Sequence, residues 1–118
     1  MTETTAPEHR NEVVLVGEVT APPEERTLAD GRVIVTFRLD VVRDPEVGTG
    51  RDSFECTAHA ARLRRSLAAW QTGDLVEVSG AIRRRFYRVG AGSRPFMVVE
   101  VERARRLSSP ASRRRRPA

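Results

Sequence analysis

The chain has 118 residues, 31% of them charged, and a formal net charge of +5; that length holds one domain of the usual size, about 50–250 residues, and excludes a two-domain organisation. No apolar run approaches the roughly 20 residues of a membrane span, the opening MTETTAPEHRNE has neither the basic nor the apolar region of a secretory signal, and the lone Cys56 excludes an intramolecular disulfide, which together indicate a cytoplasmic protein without membrane contact. All 21 basic residues are arginine and four of them lie at residues 113–116, so the rest of the chain nearly balances its 16 acids, and any charge argument needs a local arrangement.

Residues 1–10 are polar, without an apolar period, and read as a flexible arm. Residues 12–19 are rich in β-branched side chains and predict a first strand, bent near Gly17 where a barrel must curl. Ala21-Pro22-Pro23 interrupts pairing, because proline donates no ladder hydrogen bond, and residues 25–28 resume as a short extended piece. Asp30-Gly31 is a hairpin signal. In residues 33–42, Val33, Val35, Phe37, Leu39 and Val41 alternate with Ile34, Thr36, Arg38, Asp40 and Val42, a strand with one core face. Residues 43–52 carry Pro45, Gly48 and Gly50 and form a mobile loop. The third strand, residues 53–60, turns Phe54, Cys56 and Ala58 inward and Ser53, Glu55, Thr57 and His59 outward.

Residues 61–71 are helix formers with Leu63, Leu67 and Trp70 on one stripe, and Gly73 supplies the stop. The fourth strand, residues 75–87, places Val76, Val78 and Ile82 inward and Arg83, Arg85 and Tyr87 outward. Residues 89–95 form a Gly-rich hairpin loop, residues 96–101 the last strand, and residues 108–118 a disordered basic tail. Five strands with one α-helix between the third and fourth predict an all-β fold, a five-stranded OB-fold barrel over residues 11–107. An open α+β sandwich uses the same elements.

The outward set Arg83, Arg85 and Tyr87 joins two guanidinium groups and an aromatic ring on one surface, the chemistry that meets both phosphates and bases. Arg38 on the second strand and Arg43 and Arg51 beside the mobile loop extend that surface, His59 adds a smaller stacking ring, and Phe86, of opposite parity, flanks it. Trp70, Phe37, Phe54 and Phe96 are read as core. No Gly-rich phosphate loop, metal-ligand spacing or nucleophile-base set is present in the sequence, and Cys56 and His59 fall on opposite faces of their strand, so the reading is a binding protein without catalysis, cofactor or metal.

Five pieces of the chain resemble the bacterial single-stranded DNA-binding protein family. Asn11-Glu-Val-Val-Leu-Val-Gly17 is similar to its opening N-K-V-x-L-x-G, and Pro23-Glu24 with Arg26 to its D-P-E-x-R turn. Asp30-Gly31 matches its hairpin, Phe37-Arg-Leu39 its F-x-L strand, and Gly73 to Gly80 with Arg83-Arg-Arg85 its K-G-x-x-V-x-V-x-G-x-L-R-x-R segment. The resemblance covers residues 11–104. It implies an OB-fold and a homo-oligomer built partly through strand one, a tetramer ahead of a dimer. It also implies sequence-tolerant binding of single-stranded DNA, with RNA open to the same contacts, in replication, repair or recombination.

Positions where the family stacks bases hold Pro45, Ser53, His59 and Tyr87 here, and its acidic, Pro-Phe-terminated tip is replaced by Arg113-Arg-Arg-Arg-Pro-Ala118. A short accessory paralogue fits those departures. Their alternative is an OB-fold interaction or oligomerisation module with little nucleic-acid affinity of its own.

Overall fold

The structure, a computed structural model, describes residues 8–114. Its strands are β1 (Val13–Thr27), β2 (Val33–Val42), β3 (Arg51–Ala58), β4 (Leu75–Val89) and β5 (Gly92–Ser108), with α1 (Ala61–Leu67) between β3 and β4 and α2 (Pro110–Arg114) after β5. They close in the order β1-β2-β3-β5-β4, every pair antiparallel except a short parallel contact of Cys56 and Thr57 with Val99 and Glu100. This is the OB-fold barrel; the open sandwich is excluded by the pairing of β1 with β4.

Alternation along the strands builds the core. Val19, Val35, Phe37, Leu39, Cys56, Val76, Val78, Val99 and Val101 fill the barrel, and Leu67 and Trp70 pack against it from the helical segment. Trp70 meets Phe37 edge to face at 5.5 Å between centroids, the arrangement favoured by the ring quadrupoles. Phe54 is half-buried against this cluster. Burial pushes the Cys56 thiol up to about 12, so it stays protonated.

The structure departs from the sequence reading in five places, each with a local cause. β1 runs through Pro22 and Pro23 without breaking, because its pairing with β2 shifts register between Ala21 and Glu24 and the prolines fall where no ladder bond is required. β3 lies two residues earlier than expected, at Arg51–Ala58. The helix stops at Leu67; the following turn carries Trp70 into the core, and the buried Asp74 carboxylate accepts from Gln71 N at 2.8 Å. The hairpin joining β4 and β5 pairs as far as Val89 and Gly92, so residues 92–95 are strand rather than loop, and Gly90 makes the turn at φ 57°.

The fifth departure concerns the end of the chain. Residue 108 closes β5 and Pro110–Arg114 is helical, where a disordered tail was expected from residue 108. Arg113 holds this helix down by donating to Gly73 O and to Ser108 Oγ. Gly73, at φ 94°, also leaves the space that Pro110 fills: a Cβ there would lie 2.7 Å from Pro110 Cγ. The expected arm lies partly outside the described residues, as do residues 115–118 of the expected tail; residues 8–12 carry no regular structure.

Gly80 sits where β4 presses against β5, and a side chain there would run into the Glu100 carbonyl. Gly80→Ala is expected to destabilise the fold by about 1–3 kcal/mol, the usual cost of overpacking, since backbone on the other side has nowhere to move. A lowered urea midpoint with an unchanged slope is the readout.

Candidate nucleic-acid interface

β1 pairs with β4 only as far as Val13 and Gly80. Beyond Ile82 and Val99, where β5 makes its short pairing with β3, β4 and β5 continue as a two-stranded arm. Within the arm Arg83, Arg85 and Tyr87 share a face with their cross-strand partners Val98, Phe96 and Arg94. The parallel contact of Thr57 with Glu100 brings the outward side chains of β3 onto this same face, and pairing with β2 adds Thr36 and Arg38.

The result is a cleft of about 640 Å³ between the β2–β3 surface and the arm. Its β2–β3 side presents Ile34, Thr36, Glu55, Thr57 and His59; its arm side presents Arg85, Phe86, Tyr87, Phe96 and Val98. Arg26 and Arg32 stand at the entrance from the β1–β2 hairpin, whose turn carries Gly31 at φ 89°. Tyr87 and Phe96 contact edge to face at 5.4 Å, which gives the arm a rigid aromatic wall. Thr57 is buried, yet its hydroxyl has no hydrogen-bond partner among the described residues. An unmade bond of that kind costs about 1–3 kcal/mol.

Of the residues singled out from sequence, Arg85, Phe86, Tyr87 and His59 line this cleft. Arg85 has no carboxylate in ion-pairing range among the described residues. Arg38 borders an adjoining hollow and is held by Ser53 Oγ at 3.4 Å and by the Glu55 carboxylate at 3.6 Å. Arg83 is bound to Glu100, its Nε lying 2.6 Å from Oε1, while His59 Nε2 approaches the other carboxylate oxygen at 3.5 Å.

Arg43 and Arg51 line neither cavity. Arg43 grips Asp52 at 2.7 Å within the β2–β3 loop, which lowers the Asp52 carboxyl below its usual value, and Arg51 reaches Glu18 at 3.2 Å. The first pair spans the β2–β3 loop and the second ties the start of β3 to β1.

Phe96 is a correction to the sequence reading: it is not core but a half-exposed wall of the cleft, because the longer β5 pairs it with Arg85. Ile82 likewise shares the inward parity of Val99 but lies beyond the end of the barrel and is exposed. Arg84 and Phe86, on the opposite parity, form a cation–π pair with 5.2 Å from guanidinium carbon to ring centroid.

This face combines a free guanidinium group, an aromatic wall and a barrel of OB topology. The family model for the single-strand binding protein family matches residues 10–106. The chain belongs to that family. Its fold is shared by solved structures of other single-strand binding proteins. One is a Plasmodium falciparum SSB in complex with ssDNA, at 16% identity and TM-score 0.71 over 88% of this chain and 100% of that one. Another is the small single-stranded DNA-binding protein of Streptomyces coelicolor, at 25% identity and TM-score 0.62 over 81% and 93%. A third is a mitochondrial single-stranded DNA-binding protein of S. cerevisiae, at 13% identity and TM-score 0.69 over 86% and 99%. No curated protein sequence matches.

Family membership also answers the question of catalysis: single-strand binding proteins are not enzymes, and neither is this chain. No group of three potential metal ligands occurs among the described residues, and no helix there is long and apolar enough to cross a membrane.

The hydrogen bond from Arg83, assisted by the charge of His59, holds the Glu100 carboxyl below its ordinary value of 4.5. A lowered folded-state value stabilises the fold above the unfolded value and loses that contribution as pH falls through the lowered one. Glu100→Gln is therefore expected to be less stable than the parent at neutral pH, with the gap closing in the acid range. Urea titrations of both proteins from neutral to acid pH read this directly, and a gap independent of pH contradicts it.

Proposed function

We propose that this single-strand binding family member holds single-stranded DNA along the face formed by β2, β3 and the β4–β5 arm, without strong sequence preference. The observation that carries the reading is Arg85, with no carboxylate in ion-pairing range among the described residues, beside the Tyr87–Phe96 aromatic pair in one cleft. Guanidinium groups neutralise phosphates and release counterions, and aromatic faces stack on any base. Arg26, Arg32, Arg38 and Arg83 extend the positive surface on either side, with His59 and Phe86 at its margins. The likeness to a structure solved with ssDNA supports single-strand binding. RNA single strands offer the same contacts. The role that follows is protection of single strands in replication, repair or recombination.

The same reading includes self-association through β1. Val14 and Val16 are 62% and 44% exposed on the outer face of the barrel, next to the Glu77–Arg105 ion pair, which gives a stripe with both apolar and complementary charged parts. A homo-oligomer, a tetramer ahead of a dimer, covers it. Val14→Glu is expected to lower the mass measured by light scattering after gel filtration; an unchanged mass argues against this surface.

Fluorescence anisotropy with labelled oligo-dT and a matched duplex, over a range of salt, tests the main reading. The single strand is expected to bind more tightly. Tyr87→Ala should weaken binding by about 1–3 kcal/mol with little change in salt slope, whereas Arg85→Ala should weaken it and reduce the slope by about 0.7. Equal binding to duplex, or equal slopes in the two variants, contradicts the assignment.

A further inference from the structure

A carboxylate on a face meant for a polyanion needs a reason. Glu100 has one, since it holds Arg83 at 2.6 Å. Glu55 does not. Its nearest cation is Arg38 Nη1 at 3.6 Å, beyond hydrogen-bond range, and no donor among the described residues bonds to it. Its side chain is 32% exposed and lines the cleft.

Beside it stands Thr57, only 7% exposed, whose hydroxyl also has no partner. Tyr87 and Phe96 form part of the arm side of the same cavity. An open acceptor and an unsatisfied hydroxyl, faced by aromatic rings, complement the edge of a stacked planar group that carries N–H donors; phosphate has no donor to offer.

We infer that this cleft reads base identity, Glu55 with Thr57 beside it selecting a base that bears an exocyclic amino group, and among pyrimidines cytosine over thymine. Cytosine offers its N4 amino hydrogens to a carboxylate, whereas thymine places a carbonyl oxygen at that position, where two acceptors face each other. The inference rests on the reading of this face as the single-strand site. It adds a local preference to binding that stacking and phosphate contacts otherwise leave tolerant of sequence.

The test uses the full chain and labelled oligo-dC, oligo-dT and oligo-dU of equal length, titrated by anisotropy at one salt concentration, with Glu55→Gln as the variant. The parent protein is expected to bind oligo-dC about tenfold more tightly than oligo-dT, the worth of one hydrogen bond to a charged group. Oligo-dU should behave as oligo-dT does, since both carry the carbonyl. In Glu55→Gln the oligo-dT and oligo-dU affinities rise with the loss of a negative charge, oligo-dC loses its charged hydrogen bond, and the dC to dT ratio falls close to one; continued oligo-dT binding shows the variant is folded.

Equal binding of dC and dT by the parent overturns the inference. So does a preference that survives in Glu55→Gln, or oligo-dU behaving like oligo-dC, which would assign discrimination to the thymine methyl group. In each of those cases single-strand binding itself stands. Failure of the parent to bind any of the three removes the single-strand reading and the inference together.

Discussion

The backbone contact between β4 at Gly80 and β5 at Glu100 is the constraint from which the binding face follows. Only a residue without a side chain lets the two strands approach there, and β1 leaves β4 at the same position. Past that point only the short pairing of β3 with Val99 and Glu100 of β5 holds the two strands to the barrel wall. They extend as an arm, and the arm turns the surface of β2 and β3 into one side of a cleft.

Charge on this face is arranged locally rather than in bulk. Arg38 and Arg83 each lie beside a carboxylate, and these pairs fix the positions of the guanidinium groups at partly exposed sites, where the net gain in stability is small. Arg85 is left to meet a ligand. A phosphate that displaces a partnering carboxylate gains less than one that meets an unpaired guanidinium group, so the arginines of this face differ in what they contribute despite their shared chemistry.

Much of the fold was legible in the chain because it depends on local patterns: alternation in β2, the Asp30-Gly31 turn and the helical stripe ending at Trp70 all lie within a few residues of one another. The parity of Arg83, Arg85 and Tyr87 was legible for the same reason. Phe96 was not, since its place opposite Arg85 follows from a hairpin that pairs up to Val89 and Gly92, where glycines suggested a loop. Glu55 and Glu100 were also missed as partners of Arg38 and Arg83. Their meeting depends on the registers in which β2 pairs with β3 and β4 with β5, and no short-range pattern encodes those. Gly73 signalled a helix stop but not the docking of Pro110 and Arg113 against it, which spans a long stretch of sequence.

Cys56, enclosed among the barrel side chains, is fully buried and keeps its proton far above neutral pH. Thiolate is the form that attacks and oxidises, so the thiol of the folded barrel is silent towards thiol-directed reagents. Association between folded copies therefore leaves no covalent trace. A cross-linked dimer on a non-reducing gel marks chains that have opened, not chains that have assembled.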